Sequence, residues 1–184
     1  MDDNQAKLME FDIDNIRLYV NDEDREVDEE NEGNEKPEGE GATARALIQV
    51  FNDNFVAYYR SHVAHVNIMG RNFTSDHQLL GEIYEDLQGQ IDVQAEIIRT
   101  LKEFMPCCIS DVIADSHIDS SDLDGDSEFL LGMIKEDLEH LVECYRSLME
   151  CADEEELDHI ANYAQERVTA IEKFIWMLSA TLED

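Results

Sequence analysis

The pattern of apolar residues predicts an all-α protein: a crossed four-helix bundle with a long crossover that contains a short helix. Three observations carry that prediction. Apolar side chains recur at spacings of three and four from Thr43 onward, the signature of amphipathic helices. Prolines nearly vanish from this body, with Pro106 the only one. Two short connections flank one long middle connection, which sets the order in which four helices can pack.

The first helix is expected over residues 43–67, where Leu47, Val50, Phe51, Phe55, Tyr58 and Tyr59 share one face. Gly70, Arg71 and Asn72 form a turn. The second helix is expected over residues 74–104, with Thr74 or Ser75 as its cap and Asp76 in its first turn. Leu79, Leu80, Ile83, Leu87, Ile91, Ala95, Ile98 and Leu101 face inward, and Pro106 stops the helix. Residues 107–127 read as irregular, with a short apolar patch over 109–114 and then a polar run ending in Asp124, Gly125 and Asp126. That composition suits a crossover carrying a small helix. The third helix is expected over residues 127–151, with Phe129, Leu130, Met133, Ile134, Leu138, Leu141, Val142, Tyr145 and Leu148 inward. After an acidic cap at Asp153, a fourth is expected over 154–182, with Leu157, Ile160, Ala161, Ala164, Val168, Ile171, Ile175 and Leu178 inward.

Ahead of this body, residues 1–42 form an acidic head with 16 acidic and 4 basic side chains. Residues 22–41 are almost free of apolar side chains, a composition that does not sustain a core. Residues 11–20 alternate partly at period two and read as a short strand or a docking peptide. The whole chain of 184 residues carries a formal net charge of −32. Such a field repels a phosphate backbone, so direct DNA binding is not expected. Cations, a small molecule or a basic protein held by the acidic head fit better. No run of apolar residues is long enough for a membrane span. The acidic N-terminus has no apolar leader stretch, which points to a cytoplasmic protein. Cys107 and Cys108 are adjacent, which suits neither a disulfide framework nor a CxxC site, so the four cysteines read as free thiols.

Candidate metal ligands cluster around the first two helices. His65 and His77 flank the turn, so they can approach each other. Asp92 and Glu96 are four apart and share a helix face. Mixed imidazole and carboxylate ligation suits iron, manganese or zinc. Yet His77 and Asp92 stand 15 residues apart on one helix, about 22 Å. Either the two sets are unrelated, or a second subunit turns its carboxylates toward the first one's histidines about a two-fold axis.

At these residues the chain resembles the Dps family, the miniature ferritins that protect DNA in starved bacteria. The family places a histidine before a Trp-Asn-hydrophobic-Thr-Gly turn, then Asn-Phe, then a second histidine. Here the run is His65-Val66-Asn67-Ile68-Met69-Gly70-Arg71-Asn72-Phe73-Thr74-Ser75-Asp76-His77. Asp92-Val93-Gln94-Ala95-Glu96 matches the family's Asp-x-x-Ala-Glu, and Glu172-Lys173-Phe174-Ile175-Trp176-Met177-Leu178 matches its closing Glu-Lys-x-x-Trp-Met-Leu. The resemblance covers about residues 45–182. It implies a ferritin-like four-helix bundle domain over residues 43–184, assembled as a hollow homo-dodecamer. It also implies a ferroxidase centre at each dimer interface, with His65 and His77 from one subunit and Asp92 and Glu96 from its neighbour. The implied activity is oxidation of Fe²⁺ by peroxide or dioxygen and storage of Fe³⁺ mineral, with Zn²⁺ or Mn²⁺ able to substitute at the site.

The chain departs from the family pattern at several points. The aspartate four residues after the second histidine falls on Gly81, the Trp after the first histidine on Val66, the Arg after Ala-Glu on Ile97, and a Gly-Gly pair on Lys102-Glu103. The loss at Gly81 keeps a rival reading open: a non-catalytic acidic scaffold with a degenerate metal site. Asp153 and Asp158 belong to a carboxylate cluster that reads either as helix capping or, by the resemblance, as an iron-entry pore. Trp176 and Met177 read as packing residues at core or interface spacing. His140 is expected to pair with Glu136 at the surface, and Cys144 and Cys151 to be core thiols; His117, His140 and His159 show no compelling partner in sequence.

Overall fold

Five helices follow one another along the chain: α1 (Ala42–Asn67), α2 (Phe73–Thr100), α3 (Ile109–Asp115), α4 (Ser127–Glu154) and α5 (Asp158–Leu182). The structure, a computed structural model, describes residues 41–183. Residues 1–40 of the acidic head, its 11–20 segment included, lie outside the described residues, and Ala42 at its end already belongs to α1. Among those described there is no strand, and the architecture is all-α: four long helices in a bundle, with the short α3 in the crossover between α2 and α4. No described helix is long and apolar enough to cross a membrane. α1 packs on α2 and α4, α4 packs on α5, and α3 lies against α1.

The apolar stripes meet in one core. Leu47, Val50, Phe51, Leu80, Ile83, Leu87, Ile98, Ile134, Leu138, Leu141, Leu148, Ile160 and Ile171 are all buried. Their burial supplies most of the drive to bring the helices together. Buried polar side chains then set which helix faces which. Asn54 on α1 donates to the Leu87 carbonyl on α2 at 2.9 Å, and Gln94 on α2 donates to the Tyr145 hydroxyl on α4 at 2.7 Å. Arg60 on α1 pairs with Asp137 on α4 at 2.7 Å, and Arg167 on α5 forks onto Asp86 on α2. Each tie would leave an unpaired buried group if the helices slipped.

Several boundaries and faces differ from the sequence expectation. α2 ends at Thr100 rather than at residue 104. Lys102 adopts φ +68°, its N–H donates to the Arg99 carbonyl, and the Glu103 N–H donates to Ile98. These two bonds are a Schellman cap, which closes the helix before Pro106 is reached. α4 runs on to Glu154 and closes the same way, with Glu156 at φ +58° and the Leu157 N–H donating to Ala152 at 2.8 Å. The fourth long helix therefore starts at Asp158, and Asp153 lies in the last turn of α4 instead of capping α5. Neither Thr74 nor Ser75 caps α2; it starts at Phe73, and the Ser75 hydroxyl donates to the Asn72 carbonyl. Tyr59 and Phe129, both expected inward, are exposed in the single chain, and Trp176, expected at a core or interface position, is exposed there too.

Candidate metal centres

His65 lies in the last turn of α1 and His77 in the second turn of α2. The intervening turn brings their rings face to face, with centroids 3.7 Å apart. The contact is reciprocal: His65 Nδ1 is 2.7 Å from the His77 carbonyl oxygen, and His77 Nδ1 is 2.7 Å from the His65 carbonyl oxygen. A carbonyl can only accept, so each Nδ1 carries a proton and donates it. With Nδ1–H committed to the carbonyl, Nε2 is the ring nitrogen left to carry the lone pair through which imidazole ligates a metal. Phe73 stacks on the His77 ring at 5.0 Å, and Tyr84 sets its edge toward His65 at 5.0 Å while stacking on His62 at 4.4 Å. These contacts hold both imidazoles in place.

Gly81 sits one turn beyond His77 on α2 and is buried. A Cβ there would stand 3.3 Å from His65 Cε1. Position 81 therefore faces His65, and the carboxylate that the resemblance expects there is absent. Asp92 and Glu96 are exposed further along the same helix. α2 is continuous from Phe73 to Thr100, so His77 and Asp92 remain about 22 Å apart in one chain. The single chain unites the two histidines and does not unite them with the two carboxylates. Asp153 and Asp158 are exposed on either side of the α4–α5 turn.

A second cluster joins residues that the sequence reading left apart. Asp53 on α1 is fully buried. Its Oδ1 accepts from the His117 backbone N–H at 2.6 Å and from the Ser116 hydroxyl at 2.9 Å. Its Oδ2 accepts from Gln49 at 3.1 Å, and lies 3.2 Å from both His140 Nε2 and Cys144 Sγ. His140 Nε2 and Cys144 Sγ are 3.2 Å from each other. The ligating atoms of Asp53, His140 and Cys144 all fall within 4.8 Å, a candidate metal-binding triad. Burial alone would raise the Asp53 pKa, but the bonds from His117, Gln49, Ser116 and Cys144 outweigh it and hold the carboxyl below its ordinary 3.8. Burial and the Asp53 charge push the Cys144 thiol up to about 12. His140 thus turns toward Asp53 rather than pairing with Glu136 at the surface.

Comparison with known proteins decides the family. The Ferritin-like domain family matches residues 44–184. The chain belongs to that family. Among ferritin-like relatives, it is 28% identical to the DNA protection during starvation protein of Helicobacter pylori (strain J99 / ATCC 700824), over 76% of this chain and 98% of that one. It superimposes on a Dps protein from Vibrio cholerae O1 with a TM-score of 0.73 and 28% identity, covering 77% of this chain and 89% of that one. The crystal structure of Helicobacter cinaedi CAIP gives a TM-score of 0.72 at 27% identity, covering 77% and 99%. The ferritin-like chain is thus homologous to Dps proteins, as its histidine-turn-histidine run suggested.

Within this ferritin-like domain the Asp53 cluster was hidden from sequence reasoning because its members lie up to 91 residues apart. One local signal was present. His140 and Cys144 are four apart on α4, the spacing that stacks two side chains on one helix face.

Proposed function

We propose that this chain assembles into a closed homo-oligomeric shell, a dodecamer, that takes up Fe²⁺, oxidises it and stores ferric mineral. The observation that carries the reading is the reciprocal His65–His77 pair, whose Nδ1–H groups are occupied by backbone carbonyls so that both Nε2 atoms are ligand-ready. Asp92 and Glu96 of a second copy would complete the centre across a two-fold axis, because α2 keeps them out of reach within one chain. Exposed apolar residues support association. Tyr59 and Val66 on α1, and Ile109 and Ile113 on α3, leave apolar surface that a monomer would present to water.

In this reading the histidines fix Fe²⁺, and the carboxylates bridge and stabilise the more highly charged product. Two Fe²⁺ each give one electron to a peroxide; its O–O bond breaks, two protons are taken up, and two waters leave. The Fe³⁺ formed nucleates on acidic inner walls. Asp153 and Asp158 would line an entry pore whose negative potential concentrates Fe²⁺. Zn²⁺ or Mn²⁺ would compete for the same ligands. The shell would work in the cytoplasm, without direct DNA binding, and its acidic head would be free to hold a basic protein.

Gly81 favours a second reading, in which the shell binds metal poorly and serves as an acidic scaffold. Complementation separates the two. Chains carrying His65→Ala and His77→Ala are co-refolded with an equal amount of chains carrying Asp92→Ala and Glu96→Ala. Random pairing makes half of the dimers mixed, and each mixed dimer holds one intact centre of two, so about a quarter of the parent's ferroxidase rate returns. Each variant alone is inactive. No activity in the mixture, together with normal assembly, would remove the shared centre and leave the scaffold.

A further inference from the structure

We propose that Asp53, His140 and Cys144 form a second metal site inside each chain, built for a zinc-class divalent cation whose fourth position is open to water. It is independent of the iron centre: Asp53 lies 12 residues before His65 on α1, about 18 Å along the helix.

The geometry suits a tetrahedral ion. Nitrogen, oxygen and sulfur ligands about 2.0–2.3 Å from such an ion stand roughly 3.3–3.6 Å from one another. Here the Asp53 Oδ2, His140 Nε2 and Cys144 Sγ atoms form a triangle with each side 3.2 Å. His117 Nδ1 stands 3.8 Å from the same Asp53 oxygen, and its ring is set at 88° to that of His140. A shift of a few tenths of an ångström on each edge of that triangle would admit an ion against its three atoms, and the His117 ring stands outside the three-atom group.

The ligand types favour zinc over magnesium or calcium, because a thiolate and an imidazole are soft to borderline donors. Charge also favours a dication. Asp53 is a fully buried carboxylate, so a dication beside it offsets a charge that burial makes costly. On binding, the Cys144 thiol gives up its proton to solvent, and the Asp53 carboxylate and Cys144 thiolate together neutralise the ion. The supporting shell is in place too. Ser116 and the His117 N–H occupy the other carboxylate oxygen, and Gln49 bridges Asp53 and the Asp115 carbonyl. Such outer bonds hold a ligand in its binding orientation.

The way in is open as well. A cavity of about 430 Å³ beside the cluster is lined by Gln49, Asn52, Asp115, Ser116 and His117, and the His117 side chain is 62% exposed. The ion would bolt α1 to α4 at Asp53, whose other oxygen already holds the segment after α3. Its role is therefore to hold the crossover, rather than to oxidise iron.

The test uses the full-length assembled protein carrying His65→Ala and His77→Ala, stripped of metal by chelation and titrated with Co²⁺. We expect one Co²⁺ per chain showing tetrahedral d–d bands and a thiolate-to-cobalt charge-transfer band, all displaced by one equivalent of Zn²⁺. Cys144→Ser abolishes the charge-transfer band, while the combined Cys107→Ser, Cys108→Ser and Cys151→Ser variant keeps it. With both histidines restored, Cys144→Ser leaves the ferroxidase rate unchanged. Absence of a thiolate band in the Cys144-containing protein, or its loss only in the triple variant, overturns the site whether or not Cys144→Ser folds. A fall in ferroxidase rate in Cys144→Ser, with the shell intact, would overturn the claim of independence.

Discussion

Replacing Gly81 with aspartate restores a carboxylate at the position that faces His65, and its effects can be worked from the geometry. Without metal the substitution is unfavourable. The new Cβ stands 3.3 Å from His65 Cε1, so the ring must give way. Overpacking of this kind costs about 1–3 kcal/mol. Replacing a helical glycine returns at most about 1 kcal/mol. With that return made in full, the metal-free variant should be up to about 2 kcal/mol less stable. With metal the sign reverses. If the added ligand tightens binding tenfold, it contributes about 1.4 kcal/mol at saturation. The assay is thermal unfolding of parent and variant, each with chelator and with saturating Zn²⁺. The Asp53 cluster is common to both proteins and cancels in the comparison. The variant should start lower and show the larger metal-dependent rise, and its ferric absorbance should develop faster after Fe²⁺ and peroxide are added. Equal metal-dependent shifts in the two proteins would refute the reasoning, because position 81 would then not reach the bound ion.

Four further outcomes are expected. Lys102 holds φ +68° in the cap of α2, a conformation that costs a side-chain-bearing residue about 1 kcal/mol, so Lys102→Gly should raise the unfolding midpoint; an unchanged or lower midpoint would show that the Lys102 side chain compensates. Asp137→Ala strands the buried Arg60 guanidinium and should cost about 3–5 kcal/mol near neutral pH, read by denaturant unfolding. Burial outweighs Arg60 and pushes the Asp137 carboxyl up to about 6 from 3.8, so the increment of stability linked to its proton is complete below about pH 3.8 and is lost as the pH rises through about 6, while the pairing with Arg60 remains; Asp137→Asn should flatten the parent's stability profile across that window, and parallel profiles would contradict the shift. Duplex DNA should not be retained in a gel-shift titration at about 0.15 M salt with chelator; tight binding there would reveal a basic surface that the net charge of −32 conceals.

The sequence by itself determined the helical body, because amphipathic periodicity is a local property that each segment carries whatever it packs against. It also determined the split between the histidines and the carboxylates, because helix rise turns 15 residues into a distance too long for one metal. Helix ends were harder to place. Lys102 and Glu156 take the left-handed conformation usually held by glycine, and nothing in those side chains announces it. Only the tertiary structure decided the tautomers of His65 and His77, since they follow from carbonyls brought into place by the turn. The Asp53, His117, His140 and Cys144 cluster was likewise decided by packing. Its members come from α1, the crossover and α4, and long-range contacts of that kind exist only once the apolar faces have chosen their partners.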